Sequence, residues 1–250
     1  MRALRGKTVV TAGMTLGLVV SILGPSPAGG SQSTVLDLAL CAPGQNSFTL
    51  RIDNSYLPLS VGRQWVFQGD EGGQTLGLQI TVLNKKETFF FTGAEKVTTR
   101  VVEEREWVDA NGNGLFDDGT LNLIEVALNY FAQTQDGTVC YFGEDVDFYE
   151  GGAIVDHAGS WRADDLGNAP GIFMPAAPQA GMRFQQEMAP GIAEDEATIV
   201  GSGPADVPAG TLKRTIRLRE FNPIDGGTGY KVYARNVGLI KDGAFELISY

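Results

Sequence analysis

The residues best placed for chemistry lie in one stretch, Asp109-Ala110-Asn111-Gly112-Asn113-Gly114-Leu115-Phe116-Asp117-Asp118-Gly119-Thr120. Calcium is a hard cation satisfied by about six to eight oxygens. A loop of this length supplies them from its first, third and fifth side chains, its seventh carbonyl and its ninth residue. Those positions are Asp109, Asn111, Asn113, Leu115 and Asp117, and Gly114 stands at the sixth, where the chain must turn sharply. Thr120 occupies the last position, where a bidentate glutamate is usual, and Asp118 or Glu125 could substitute for it. With so few carboxylates the loop predicts weak calcium binding at extracellular levels, ordering a long hairpin rather than catalysing. The same residues also suit a hairpin without metal, because Asn-Gly occurs twice.

Other constellations point away from the commoner enzyme classes. His157 is the only histidine, so a zinc site would have to draw on carboxylates or cysteines. Ser160 lies near His157 in the chain, but no Gly-x-Ser-x-Gly elbow occurs, and His157 reads as a turn residue after Asp156. Gly201-Ser202-Gly203 runs into Pro204, which rules out a phosphate-cradling loop opening a helix. Carboxylate doublets do occur, and Glu144, Asp145, Glu194 and Asp195 are the acids a secreted glycan hydrolase would use across a cleft. Adjacent acids on a strand point to opposite faces, however, so neighbours in sequence do not make a catalytic pair. Aromatic residues such as Trp65, Phe67, Phe89, Trp107, Tyr130, Tyr141 and Trp161 suit either a sheet core or an apolar groove for a greasy ligand.

The elements that must carry these residues read as strands. Apolar and polar residues alternate in Leu78-Gln79-Ile80-Thr81-Val82. Ile124, Val126, Leu128, Tyr130 and Ala132 share one face of their run, and Glu125, Asn129 and Gln133 the other, expected to be wet. Leu212, Ile216 and Leu218 oppose Lys213, Arg217 and Arg219, while Tyr230, Val232 and Ala234 oppose Lys231 and Arg235. A period of two with one wet face argues antiparallel sheet. Turn residues fall between the runs at 70–73, 111–114, 136–137, 150–152, 208–210, 225–227 and 242–243. Thirty-three glycines and eleven prolines leave only one short helical window, 191–198, itself weakened by Gly191. The expectation is an all-β single domain, an antiparallel meander of hairpins forming a curved sheet or half-barrel.

The N-terminus has the form of an export signal. Arg2, Arg5 and Lys7 precede an apolar run from Thr8 to Leu23, then Gly24-Pro25-Ser26-Pro27-Ala28, which predicts a signal peptide over 1–28 cut after Ala28. Residues 29–47 read as a flexible segment or one pinned through Cys41, and 48–250 as the secreted β domain. Leu38-Ala39-Leu40-Cys41 is a poor lipidation site because Leu40 is large and Asp37 interrupts the run. The formal charge of −11 becomes −11 − 3 = −14 without the leader's three cations, a surface that repels nucleic acid and anionic lipid. No further segment is long and apolar enough to span a membrane. Cys41 and Cys140, the only cysteines, predict one disulfide in an oxidising compartment, with two free thiols or an intermolecular bridge as the alternatives.

Several motifs carry a family resemblance. Asn54-Ser55-Tyr56-Leu57-Pro58-Leu59, Gly62 and Trp65-Val66-Phe67-Gln68-Gly69 are followed by Tyr130-Phe131-Ala132-Gln133, Tyr141-Phe142-Gly143-Glu144-Asp145, Gly159-Ser160-Trp161, Pro170-Gly171-Ile172 and Val207-Pro208-Ala209-Gly210-Thr211. Together they resemble a group of uncharacterised secreted bacterial proteins, from about residue 50 to the end. The resemblance implies an exported β-rich domain and no particular activity. The half-barrel lipoprotein-carrier superfamily is similar only by analogy of fold. Cys140 stands where the group more often has an aromatic, and the hairpin at 109–120 is longer and more acidic than its usual turn. The combined expectation is a non-enzymatic exported domain that binds an apolar ligand or an envelope partner, with weak structural calcium. The alternatives are a glycan hydrolase and a structural or adhesive surface module.

Overall fold

The computed structural model describes residues 33–93, 95–117 and 119–250. The proposed leader 1–28 and the first residues of the 29–47 segment lie outside the described residues. Short pieces come first: β1 (Thr34–Val35), a 3-10 turn (Leu38–Cys41), β2 (Phe48–Thr49), β3 (Asp53–Asn54) and β4 (Leu57–Pro58). Long strands follow, β5 (Gln64–Glu71), β6 (Gln74–Phe90), β7 (Lys96–Val108), β8 (Leu123–Thr134) and β9 (Val139–Glu150). A stretch of short strands, β10 (Ala153–Asp156), β11 (Trp161–Arg162), β12 (Gly171–Met174) and β13 (Met182–Gln185), leads to β14 (Glu196–Val207), β15 (Gly210–Phe221), β16 (Thr228–Ala234), β17 (Gly238–Asp242) and β18 (Phe245–Ser249). No α-helix occurs among the described residues, and the window at 191–198 runs into β14 instead.

The strands form one large, mostly antiparallel sheet in the order β1-β13-β14-β15-β16-β17-β18-β5-β6-β7-β8-β9-β10, with β11 and β12 also on β9 and β2 on β8. Only β1 and β13 pair in parallel. The turns expected at 70–73, 136–137, 150–152, 208–210, 225–227 and 242–243 each connect neighbouring strands of this sheet. The sheet does not close into a barrel. Its far ends are instead brought together by an irregular seam, in which Ala169 and Met188 form an isolated antiparallel bridge and the Ala169 N–H donates to Met188 O at 2.9 Å.

Curvature gives the sheet an inner and an outer face. Antiparallel partners point to the same side, so the register assigns the inner residues: Trp65 and Phe67 on β5, Ile80 and Val82 on β6, Val102 on β7, Phe131 on β8, and Leu218 and Tyr233 on β15 and β16. All are buried. The hairpin of β3 and β4 plugs one end of this space. Asn54 donates to Gly137 O at 2.9 Å and Pro175 O at 3.0 Å, while Gln133 Oε1 accepts from the Asp53 and Asn54 N–H groups, so the turn's polar groups are satisfied and Leu57 and Leu59 point inward.

A second, smaller core covers the outer face of β6 to β9. Phe48, Phe89, Phe91, Tyr130 and Phe142 pack there at ring separations of 5.3–6.2 Å. The Cys41 and Cys140 sulfurs lie at disulfide distance in this layer, and both residues are fully buried. Residues 33–47 are therefore held against the sheet, by this contact and by the pairing of β1 with β13. The phase of two strands differs from the expectation. On β8 the face with Glu125, Asn129 and Gln133 is the inner one, and Tyr130 and Ala132 serve the outer core. On β16 it is Lys231 and Tyr233 that face inward, while Tyr230 is exposed. β8 is covered on both sides and β16 carries a large aromatic on its open face, so alternation marked the faces without saying which one looks into the sheet's interior.

The Cys41–Cys140 link would close a loop of 99 positions. A cross-link of that span stabilises by restricting the unfolded chain. Replacing both cysteines by serine is expected to lower stability by about 2–4 kcal/mol, or Tm by roughly 10 °C in calorimetry. An unchanged Tm would mean that the sulfurs are not bonded in the folded protein.

Candidate functional site

Carboxylates collect on the inner face at the end away from the β3–β4 plug. The register places Glu104 and Glu106 on β7 beside Ile80 and Leu78 of β6, and Glu125 on β8 directly opposite Glu106. Glu144 on β9 pairs with Asn129 on β8. From the other arm of the sheet come Glu220 on β15 and Asp242 on β17, with Glu187 and Asp195 from the segment between β13 and β14. Lys231 stands among them, its Nζ 3.2 Å from Glu220 Oε2 and 3.5 Å from Asp242 Oδ2. The charged residues among these are half-buried, so the trough they line is crowded yet partly open, although one oxygen each of Asp195 and Glu220 is buried without a hydrogen-bond partner.

Crowding shifts their protonation. Burial, opposed by Lys231, pushes the Glu104 carboxyl up to about 7. Burial and the facing Glu125 push Glu106 up to about 7. Glu187, buried and beside Asp195, rises to about 8. Burial and then the proximity of Glu187 hold Glu144 well above the usual carboxylate range. Burial raises Glu125, Asp195 and Glu220 as well. Burial works against the Lys231 charge, but Asp242 and Glu220 more than offset it and keep the ammonium protonated beyond its ordinary range. The common cause is that one ammonium cannot neutralise so many acids, so part of the group remains neutral at pH 7.

The apolar part of the interior is filled. A cavity of about 40 Å3 lies among Leu57, Leu59, Trp65, Phe131, Tyr233 and Leu239, with Glu104, Lys231 and Asp242 at its acidic side. That is room for a few water molecules, against the roughly 300 Å3 or more of a small-molecule pocket. A shallower hollow of about 320 Å3 between Tyr56, Pro178 and Arg235 is open at the surface.

The strand β9 presents its residues through a bulge. Tyr141 pairs with Phe131 and Glu144 with Asn129, so both turn inward although three positions apart. Gly143 makes this possible with a φ of 132°, and a Cβ there would lie 2.2 Å from Trp161 O. Glu144 and Asp195 thus reach the trough. Asp145 turns to the outer layer, where it accepts the Tyr130 hydroxyl at 2.6 Å, and Glu194 accepts Gly191 N–H in an exposed turn. The set Glu144, Asp145, Glu194 and Asp195 is therefore split between the trough and the surface. Glu104, Glu106, Glu125, Glu187, Glu220, Lys231 and Asp242 join the site without having been singled out in the sequence. The one signal available was Glu104-x-Glu106 in phase with Val102. His157 sits on the surface with Nδ1 2.8 Å from Asp147 Oδ1, and Ser160 Oγ accepts from Val146 N–H, so the two do not form a catalytic pair.

The loop after β7 lies on the opposite, outer face. Asp109, 1 % exposed, accepts Gly114 N–H and Gln68 Nε2 on Oδ2, each at 2.8 Å, and Asn113 N–H on Oδ1 at 3.2 Å. Asn111 and Asn113 donate through their amides to the two oxygens of Asp117, at 3.2 and 2.8 Å. Gly114 has a φ of 72°, as the sixth position requires, and Leu115 is exposed. Phe116 packs edge-on against the buried Trp107 and under the Arg105 guanidinium. The first, third, fifth and ninth side chains therefore converge, but through hydrogen bonds among themselves. No cluster of three or more histidine, cysteine or acidic side chains suited to a metal occurs among the described residues. No helix among them is long and apolar enough to cross a membrane.

Compared with protein-family models, curated proteins and solved structures, the chain matches none.

The trough sets a pH dependence of stability. Folded Glu104, Glu106 and Glu187 keep protons that the unfolded chain releases near 4.5. The folded state thus binds more protons between that value and about 8, and stability falls as pH rises through this window. Tm is expected to drop by on the order of 5 °C between about pH 5.5 and about pH 8.5, and Glu104→Gln to flatten the profile. A Tm that climbs over that range would contradict the assignment.

Proposed function

We propose that this chain is an exported, non-enzymatic binding domain whose inner acidic trough takes a small positively charged ligand, an organic amine. The observation that carries the reading is the imbalance around Lys231: many half-buried carboxylates, water-accessible, with a single ammonium among them. Such a group raises the free energy of the folded chain. Perturbed acids gathered in a concave site are the usual mark of a functional site. A ligand cation would relieve their mutual repulsion, and the ligand's own affinity would come from that relief. The expected apolar ligand is recast accordingly. Side chains fill the interior, so any apolar part of the ligand would rest on the rim and its charge would lie in the trough. The leader-like N-terminus and the Cys41–Cys140 pair support export.

Binding should strengthen as the carboxyls ionise. In an NMR titration of the full chain with a simple primary amine at matched ionic strength, amide shifts are expected around Glu104, Glu144, Glu220 and Lys231. The apparent affinity should rise at least about threefold from about pH 6 to about pH 8.5, following loss of the trough's protons. Glu220→Gln should weaken it. If the inner-face amides do not respond to amine at either pH, the reading fails.

Calcium is proposed as a structural ligand of Asp109, Asn111, Asn113, Leu115 and Asp117. Their convergence and the Gly114 turn support it: Asn111 and Asn113 already reach Asp117 through their amides, and rotating those amides, with loss of the hydrogen bonds their oxygens accept from Asn113 and Leu115 N–H, turns oxygens towards Asp117. Thermal melts in about 5 mM calcium should exceed those in chelator by about 2–4 °C, with the difference lost in Asp117→Asn. Identical melts would leave the loop as a metal-free hairpin.

A further inference from the structure

One wall of the trough contains buried hydrogen-bond donors that nothing accepts. Across β8, β9 and β11 the register aligns Asn129, Glu144 and Trp161 side by side, so their side chains share the inner face with Glu144 in the middle. Asn129 is 6 % exposed and Trp161 3 % exposed. The Asn129 Nδ2 and the Trp161 Nε1 have no partner. Tyr141 donates its hydroxyl to Asn129 Oδ1, is within hydrogen-bonding reach of Glu144, and lies at right angles to the Trp161 ring, 5.4 Å between centroids, which fixes all three groups in place. Buried donors without acceptors are rare because each has lost its water without compensation. Two of them flanking one carboxyl form a pattern of donor, acid, donor.

That pattern is complementary to a specific ligand chemistry. A bare alkylamine would satisfy Glu144 and leave both N–H groups orphaned. An anion would satisfy the donors but meet the surrounding acids. A molecule whose ammonium is flanked by hydroxyl oxygens satisfies all three. We propose that the trough's ligand is an amino polyol, its ammonium against Glu144 and its neighbouring hydroxyls accepting from Asn129 Nδ2 and Trp161 Nε1. This rests on the reading of the trough as an amine site and names the class of amine. Amino sugars and amino diols both belong to that class.

A matched pair of probes separates the two levels of the argument. Isopropylamine and 2-aminopropane-1,3-diol share a skeleton and a charge and differ by two hydroxyls. Titrated into the full chain near pH 8, the diol is expected to bind about tenfold more tightly. It should also move the Trp161 indole N–H resonance, which isopropylamine should leave in place. Trp161→Phe keeps an aromatic ring and removes the donor. It should cut the diol's advantage to about threefold or less, with isopropylamine affinity unchanged. Asn129→Asp, which retains an acceptor for Tyr141 but adds a carboxylate that favours both amines alike, tests the other donor through the ratio of the two affinities. Equal affinities of the two probes, or a silent indole resonance on adding the diol, would overturn this inference and leave the amine reading intact. Failure of both probes to bind would overturn both. An advantage that survives both substitutions would also refute the assignment of these donors.

Discussion

Holding acids inside a curved sheet around one lysine is the constraint on which the rest of this structure depends. A carboxylate moved fully out of water is prohibitively expensive, and a single buried ion pair recovers that cost only with good geometry. Lys231 with Glu220 and Asp242 meets the geometric condition, but Glu104, Glu106, Glu125, Glu144 and Glu187 form no ion pair of their own among the described residues. They remain tolerable because the trough keeps an opening to solvent and because some of them stay protonated. A closed barrel would remove the water. The sheet instead stops short of closure and leaves the joining of its ends to the irregular bridge at Ala169 and Met188.

The apolar remainder follows from the same constraint. With one end of the inner face given over to acids, large residues must fill the other, and Trp65, Phe131 and Tyr233 do so with the β3–β4 plug over them. The outer layer compensates for the core area lost to the trough. It buries a second set of rings around Phe142, and Cys41 and Cys140 tie the N-terminal segment over it. Trough and loop 109–117 therefore stand on opposite sides of one sheet, joined through β7: Glu104 and Glu106 point in, while Glu103, Arg105 and Trp107 point out.

The strands and turns were legible because each depends on local chemistry: alternation in 78–82, Asp136-Gly137 and Asp242-Gly243 at hairpin ends, glycine in place of helix formers. The site was not. A glutamate facing a crowded interior has the same neighbours in sequence as one facing bulk water, so Glu125 and Lys231 looked like members of a wet face. Which side of a two-sided strand is interior depends on the whole set of pairings, some of them far along the chain, such as Phe67 with Leu247. The acid doublets misled for the complementary reason. Glu144 and Asp145 are adjacent, and a strand sends adjacent side chains apart. The loop at 109–117 was legible to the level of its turn, since Gly114 and the spacing of Asp109, Asn111 and Asn113 are local.

One extra residue in β9 decides which of those two acids looks inward. The chain carries Tyr141 and Glu144 to the same side only because Gly143 absorbs a step in the count, and no other residue type fits there against the Trp161 carbonyl. From Glu144 onward, parity is inverted relative to Val139 and Tyr141. Were the strand to run regularly through that glycine instead of bulging, everything beyond it would rotate by half a turn, exchanging Glu144 for Asp145 and Val146 for Asp147. The identity of the trough is thus encoded less in which acids the strand contains than in where it loses register with its neighbour.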